Sequence, residues 1–411
     1  MWSPMRSVRA LAPRVCRRVR APLLVAVTTL LAACSGIGFP ARELGSGPQA
    51  SSSDASLTTS AIGTGHVKVG LILPLSANGN AGLAAQSMRN AAEMALAEFN
   101  TPDVQLLVKD DGGSVQGAQQ ATLQALDEGA ELIVGPLFAH TVAPAGQTAR
   151  TRGVSMIAFS TDTNVAGRGI YLLSFLPESD VDRIIDYAVS QGKRSFLALL
   201  PDNAYGTVVE AEFKQVVARK GARVLAVERY PSDDTAKIQE PAKQIAQAAG
   251  RADALFIADS GEQVPQVAQA LVANGVNLKR LQLLGTGLWD DPRIFASAAV
   301  EGGWYVAPDP NLPNGFRAFS TRYRSRYGQD PVRTATLSYD AVALVAALVK
   351  TQGAQRFSDD VLTNNSGFAG IDGVFRFRND GTNQRGLAVL KVTPSGGQVI
   401  APAPRSFGSG T

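Results

Sequence analysis

Residues 132–144 read Leu-Ile-Val-Gly-Pro-Leu-Phe-Ala-His-Thr-Val-Ala-Pro, and this stretch decides the fold. The β-branched apolar run at 132–134 predicts a short strand that is covered on both faces. After a glycine-proline turn, Thr141 is placed to cap a helix, with Pro144 in its first turn. Such a turn aims free backbone N–H groups and the positive end of a helix dipole into a crevice. Because ligands of open α/β sheets bind beyond the carboxyl ends of strands, we expect the rest of the chain to surround that crevice.

The same alternation of strand and helix continues on both sides of this stretch. Predicted strands at 67–73, 104–108 and 154–159 alternate with helices at 82–100 and 115–128. Strands that alternate with helices of this length indicate βαβ units and a parallel sheet. A second series follows, with strands at 195–200, 223–227, 254–258 and 281–284, helices between them and at 316–327 and 335–351, and a hairpin formed by 373–377 and 386–392 around 379–381.

Two such series predict an α/β protein with two doubly wound lobes, each built on a parallel sheet, around an interlobe cleft. The segment 171–177 is expected to cross between the lobes. We assign 66–177 with about 306–370 to lobe 1, and 178–305 with about 371–400 to lobe 2. The helix after the crossing is expected to open with a capping pair at Ser179 and Asp182.

The N-terminus has the layout of a secretory signal. Six arginines precede an apolar run at 21–33, which is too short to span a bilayer. Residues 1–33 end in Leu-Ala-Ala before Cys34, which resembles the lipobox of bacterial lipoproteins and implies lipidation of Cys34. In that family Ser35 at the next position implies export to the outer membrane. Residues 34–65 are rich in Gly, Ser, Ala and Thr, a composition that predicts a flexible tether.

Charge gives no sign of a nucleic-acid partner. The 411 residues carry 39 basic and 35 acidic side chains. Without the six arginines of the signal, 33 basic side chains face 35 acidic ones, a net charge of about −2. We therefore expect a periplasmic protein that is held at the membrane by its lipid and does not bind nucleic acid.

Five short motifs resemble those of one receptor family. They are Gly-Leu-Ile-Leu-Pro-Leu-Ser at 70–76, Gly-Pro-Leu at 135–137, Asp-Asn-Ala-Tyr-Gly at 202–206, Ser-Tyr-Asp-Ala at 338–341, and Phe-Arg-Phe at 375–377 with Asp-Gly at 380–381. Their order and spacing over about 67–395 resemble the leucine/isoleucine/valine-binding receptors of ABC importers, which have the type I periplasmic binding fold. The resemblance implies a receptor for branched-chain or other amino acids or amides, with an ABC permease as its partner.

The resemblance also implies a ligand site at the strand ends of lobe 1. The family's serine that meets the ligand carboxylate aligns with Ala139, so the hydroxyl is missing, while the backbone N–H groups of Ala139 and His140 remain. Ser160 and Thr161 match small polar residues of the family. His140 has the alternative of a solvated turn residue, and Ser160 and Thr161 that of helix capping.

Lobe 2 supplies the opposite wall. Tyr205 matches the family's aromatic residue, with core packing as the alternative, and Glu262 is the candidate for meeting the ligand ammonium. Trp289 is placed as a further wall residue, and Ser260 either contacts the ligand or caps a helix. The predicted ligand-binding residues are Ser76, Phe138, Ala139, His140, Ser160, Thr161, Tyr205, Ser260, Glu262 and Trp289.

A second group shares this fold. The chain is also similar to the outer-membrane lipoproteins that activate penicillin-binding proteins, whose corresponding turn reads Gly-Pro-Leu. The lipobox, Ser35, the tether and Ala139 fit that group as well. This alternative implies a regulator of peptidoglycan synthesis that contacts a synthase through its surface.

No catalytic or metal-binding pattern stands out in the sequence. Two histidines and one acylated cysteine are too few for a metal site, so we expect no metal and no cofactor. Ser260 is not in a Gly-x-Ser-x-Gly elbow, and no phosphate-binding loop occurs. We expect a binding protein that closes around a small molecule without breaking a bond.

Overall fold

The computed structural model describes residues 61–100, 102–231 and 235–408. The predicted signal at 1–33, the lipidation site Cys34 and the predicted tether up to residue 60 lie outside the described residues. The strands are β1 (Ala61–Ile62), β2 (Val67–Leu73), β3 (Val104–Asp110), β4 (Leu132–Val134), β5 (Ser155–Ala158), β6 (Ile170–Leu172), β7 (Ser195–Pro201), β8 (Arg223–Tyr230), β9 (Ala254–Ile257), β10 (Gln282–Leu284), β11 (Trp304–Ala307), β12 (Phe368–Gly370), β13 (Gly373–Phe377), β14 (Asn383–Arg385), β15 (Ala388–Thr393) and β16 (Gly396–Ala401).

The helices fall between these strands, as the alternation predicted. Among the described residues, no helix has the length and apolar character needed to cross a bilayer. The helices are α1 (Asn80–Ala97), α2 (Val115–Asp127), α3 (Ala139–Thr151), α4 (Pro177–Ser190), α5 (Ala204–Arg219), α6 (Gln239–Ala249), α7 (Val264–Ala273), α8 (Pro292–Phe295), α9 (Phe316–Tyr327), α10 (Ala335–Thr351) and α11 (Asp359–Leu362).

The first sheet has the order β1-β3-β2-β4-β5-β6. All neighbours are parallel except β1, whose Ala61 and Ile62 pair with Leu107 and Leu106 of β3. The last residues of the predicted tether are therefore part of the sheet. Helices α1 and α10 pack on one face and helices α2 and α3 on the other, so the strands are apolar on both sides.

The second sheet has the order β16-β15-β11-β10-β9-β7-β8. Its five parallel strands repeat the order of the first sheet, and β15 and β16 extend it as antiparallel strands. Helices α6 and α7 cover one face and α4 and α5 the other. The structure thus confirms two doubly wound parallel sheets. The sequence analysis did not predict β11, the strand with which the antiparallel strand β15 pairs.

The predicted hairpin is wrong in its second strand. β13 pairs with β14 and with β12 in a small antiparallel sheet, whereas 388–393 forms β15 beside β11. The reason is burial, because Phe375 and Phe377 of β13 insert into the core of the first sheet, while Val389 of β15 belongs to the core of the second. Residues 371–400, assigned to lobe 2, are thus divided between the two cores, and the exact lobe boundaries stay a prediction.

Two helices start earlier than predicted. Phe138, not Thr141, is the N-cap of α3, and the Thr141 hydroxyl donates back to the carbonyl of Phe138 (2.9 Å), so Pro144 lies inside the helix. Helix α4 begins with Pro177 after the crossing segment, which fits the preference of proline for the first helical position. By contrast, Asn203 caps α5 with its side chain, accepting the Gly206 N–H at 2.9 Å.

Candidate functional site

A cavity of about 580 Å³ lies where the second sheet meets the crossing segment and the small sheet. The second sheet contributes Tyr205 after β7, Gly287 after β10, and Val306 of β11. The opposite side carries Phe175 of the crossing segment and Arg385 of β14. The two halves of the fold therefore both line the cavity, and its size suits a small organic molecule.

Of the ten predicted ligand-binding residues, only Tyr205 lines this cavity. Its ring is partly buried, and its hydroxyl shares a hydrogen bond of 2.8 Å with the Thr286 hydroxyl. Burial raises the pKa of Tyr205, so the phenol stays protonated at neutral pH. The second-sheet wall of the cavity is thus held by a bond between the first turn of α5 and the loop after β10.

The predicted first-lobe residues form a separate group at the ends of β2, β4 and β5. Ser76 is exposed, and its backbone N–H donates to Asp110 (3.2 Å). His140 donates from Nε2 to the carbonyl of Gly113 (2.9 Å) and stacks on Phe138 at 5.6 Å between ring centroids. The ring of His140 is therefore held by the loop after β3, and its contact with a ligand stays a prediction. Ala139 lies beside them as the first residue of α3.

Ser160 and Thr161 follow β5 but do not line the cavity. Ser160 is buried, and its hydroxyl accepts the backbone N–H of Asp162 at 3.0 Å. Thr161 is exposed. The Ser160 hydroxyl thus stabilises a local turn, and its contact with a ligand stays a prediction.

The remaining second-lobe residues also lie away from the cavity. Ser260 precedes α7, and its carbonyl accepts the Val264 N–H (3.0 Å). Glu262 is 69% exposed and pairs with Arg293 at 3.6 Å. Its carboxylate is therefore solvated and has a cationic partner, so it lacks the buried setting that the ammonium role requires.

Trp289 is a correction. Its side chain is fully buried in the core of the second sheet, and its Nε1–H donates to the carbonyl of Ile257 at 3.0 Å. A Cβ at Gly285 would lie 2.1 Å from the indole, so the ring packs directly on that backbone. Trp289 therefore packs into the core beneath the loop after β10 and does not line the cavity.

Sequence reasoning missed the charged side of the cavity. Phe175 lies between two guanidinium groups, with Arg333 at 4.7 Å and Arg385 at 4.6 Å from its ring centroid. Arg333 binds Asp372 through two hydrogen bonds of 3.0 and 2.6 Å. The signal available was β14 itself, whose residues Asn-Gln-Arg are all polar although two of them are buried.

Two acidic groups near these arginines have altered proton affinity. Burial raises the pKa of Asp180 to about 7, against the lowering effects of the Gly287 N–H and of Arg385. Burial and the charge of Asp372 raise the pKa of Asp340 to about 8, while Arg385 acts in the opposite direction. Both carboxyls therefore titrate near neutral pH.

The sequence profile of the family described as periplasmic binding protein matches residues 66–398. No curated protein matches the chain. Many solved structures do match, among them three proteins of ABC transporters. All three are below 25% identity, so the likeness in structure shows the fold.

A protein from Rhodospirillum rubrum, provisionally assigned as a branched-chain amino acid ABC transporter, has a TM-score of 0.72 at 20% identity, over 81% of this chain and 99% of that one. The branched-chain amino acid transporter substrate binding protein of Streptococcus pneumoniae in complex with isoleucine has a TM-score of 0.55 at 18% identity, over 82% and 99%. A solute binding protein of an ABC transporter from Rhodopseudomonas palustris in complex with benzoate has a TM-score of 0.55 at 19% identity, over 83% and 98%.

Proposed function

Because this chain belongs to the periplasmic binding protein family, we propose that it is the substrate-binding receptor of an ABC importer. The observation that carries the proposal is the cavity of about 580 Å³ that both halves of the fold line. Its walls combine apolar side chains, among them Phe175, Val306 and Leu387, with polar and charged ones such as Tyr205 and Arg385, and small-molecule sites commonly join the two kinds of side chain. The family is one of binding proteins, and binding followed by release to a permease requires no bond to break.

The proposed ligand is an amino acid or a related small molecule. The similar structures named above belong to branched-chain amino acid and other ABC transporters, and two of them hold isoleucine and benzoate. These comparisons favour the receptor over the activator of a penicillin-binding protein. We therefore propose a permease and not a peptidoglycan synthase as the partner.

A thermal-shift screen of the purified protein against the amino acids, benzoate and neutral compounds tests the proposal. A ligand at 100 times its Kd stabilises the folded state by about 2.7 kcal/mol, a readily measured rise in Tm. Calorimetric titration then gives the Kd of each compound that raises the Tm. If no compound in any of the three classes raises the Tm, the receptor proposal is refuted.

Variants of Tyr205 show whether the binding occurs in this cavity. Tyr205→Ala removes an apolar wall and should weaken binding about tenfold or more. Tyr205→Phe keeps the ring and loses only the bond to Thr286, so it should change the Kd less than about threefold. An unchanged Kd in Tyr205→Ala would place the ligand elsewhere.

We also propose that Cys34 carries the lipid that holds the receptor at the membrane, with the outer membrane as its destination. The support is the sequence Leu-Ala-Ala-Cys with Ser35 after it. Cell fractionation checks this: Cys34→Ser should move the protein to the soluble periplasmic fraction, and Ser35→Asp should retain it at the inner membrane. A Cys34→Ser protein that stays with the membranes would contradict the anchor.

A further inference from the structure

Arg385 is the most deeply buried charged group on the cavity wall. It is the last residue of β14, its exposure is 5%, and burial lowers its pKa. Burying a guanidinium is costly unless its donors are satisfied and its charge is balanced. The position of Arg385 therefore requires a physical explanation.

The contacts of Arg385 leave two donor nitrogens unused. Its Nε donates to the carbonyl of Ser174 at 2.9 Å. Nη1 and Nη2 are buried and have no hydrogen-bond partner within the described part of the chain. A planar pair of donors at the edge of a cavity matches the two oxygens of a carboxylate.

The nearby carboxylates make their hydrogen bonds with other groups, although the buried Oδ2 of Asp340 has no partner within the described part of the chain. Asp372 is bound by Arg333 and by the Thr336 hydroxyl (2.6 Å). Asp180 accepts the Gly287 N–H at 2.9 Å, and Asp340 accepts the Ile371 N–H at 2.8 Å with its second oxygen facing Gly370. None of the three donates or accepts a hydrogen bond with Arg385 among the described contacts.

Three acidic side chains, Asp180, Asp290 and Asp309, line the cavity, but the charge of Arg385 is only partly balanced by its own neighbours. The Arg333–Asp372 pair is neutral as a unit, and burial raises the pKa of Asp340 to about 8, so this carboxyl is largely protonated at pH 7. Asp180, with a pKa of about 7, offsets only part of the charge of Arg385 at that pH. At Arg385 itself, an anion therefore meets a positive charge that its neighbours balance only in part.

The ring of Phe175 fixes the direction of the guanidinium. The guanidinium carbon of Arg385 lies 4.6 Å from the centroid of this ring and that of Arg333 lies 4.7 Å from it, and the Phe375 centroid is 5.8 Å from the guanidinium of Arg385. Held in this way, Arg385 loses little side-chain freedom when it binds, which favours affinity. Leu387 and Ile371 add apolar surface to the same cavity.

We propose that Arg385 is the residue that binds the carboxylate of the ligand, through Nη1 and Nη2. This inference rests on the proposed receptor function. It places the charged end of the ligand beside β14 and the crossing segment, and not at the turn of Ala139 and His140. Arg385 also borders a smaller cavity of about 270 Å³, which is lined by Arg183, Arg378, Asp182 and Asp186. The Tyr205 variants separate binding there from binding in the larger cavity, because Tyr205 lines only the larger one.

The first test compares each binding carboxylate with its amide on the unaltered protein: isoleucine with isoleucinamide, and benzoate with benzamide. Losing the partner of a buried, hydrogen-bonded charge costs several kcal/mol, so the amide should bind at least about 30-fold more weakly. If amides bind as well as acids, or only neutral compounds of the screen bind, the carboxylate site is refuted while the receptor function stands. If no compound of any class binds, both proposals fail.

The second test uses Arg385→Gln, with Arg376→Gln as the matched control. Arg376 lies on the paired strand β13 and packs on Phe407 outside the cavity. Arg385→Gln should weaken binding of the acid at least about 30-fold and change binding of the amide little, whereas Arg376→Gln should change neither. A folded Arg385→Gln protein with an unchanged Kd for the acid would overturn the proposal. Should Arg385→Gln fail to fold, the comparison of acid with amide decides.

Discussion

At the scale of single residues, aromatic side chains near a cleft are the hardest to assign. Tyr205 and Trp289 both follow strands of the second sheet, and both were predicted as walls of the site. Tyr205 lines the cavity, whereas Trp289 is buried behind it and bonded to Ile257. The difference lies in the direction of the side chain, which no local pattern records.

Trp289→Ala should therefore affect stability and not ligand recognition. Removing a fully buried indole leaves a cavity, and the expected loss in the free energy of unfolding is about 3–5 kcal/mol, measured by urea denaturation. Leu288→Ala is the control for stability. The side chain of Leu288 is 45% exposed, so this substitution should lower the free energy of unfolding by less than about 0.5 kcal/mol. A Trp289→Ala protein of normal stability that has lost its ligand would restore the wall assignment.

At the scale of elements, the turn between β4 and α3 depends on one glycine. Gly135 has a φ of 95°, a left-handed conformation, and a Cβ at this position would lie 2.0 Å from the carbonyl oxygen of Ile72. The glycine thus allows the backbone after β4 to lie directly against the backbone of the neighbouring strand β2 at the carboxyl end of the sheet.

Gly135→Ala should destabilise the protein more than the change in conformation alone explains. Gly153→Ala is the matched control, since Gly153 has a φ of 65° but open space where its Cβ would be. The control should cost about 1–2 kcal/mol. Gly135→Ala should cost about 1–3 kcal/mol more because the β2 backbone must move. Equal unfolding free energies for the two variants would show that the contact with Ile72 is relieved at no cost.

At the scale of the whole molecule, a buried group of charges joins segments that are far apart in sequence. Asp340 of α10 faces Asp372, Arg385 and Arg333, and its backbone partner is Ile371. Its folded-state pKa of about 8 is well above the usual 3.8. The unfolded chain releases the carboxyl proton near pH 4, whereas the folded protein keeps it up to about pH 8. Between these values the folded state binds the extra proton, so the contribution of Asp340 to the free energy of unfolding falls as the pH rises.

Asp340→Asn should remove this part of the pH dependence. Asparagine has the same shape but does not titrate, so the Tm of the variant should rise relative to that of the unaltered protein between pH 5 and pH 8. Thermal denaturation at several pH values measures the difference, with exposed Asp360→Asn as the control. A difference that stays constant over this range would show that Asp340 is already ionised at pH 5 in the folded protein.

The sequence by itself determined the alternation of most strands and helices, the two doubly wound sheets and the family, although it missed β11 and gave β13 the wrong partner. These follow from periodicity and short motifs, which act over a few residues, as β2 at 67–73 and α10 at 335–351 show. The tertiary structure alone decided which side chains line the cavity. Arg385 meets the carbonyl of Ser174 across 211 positions of sequence, and the burial and charge balance that define its role exist only after such distant segments have packed together.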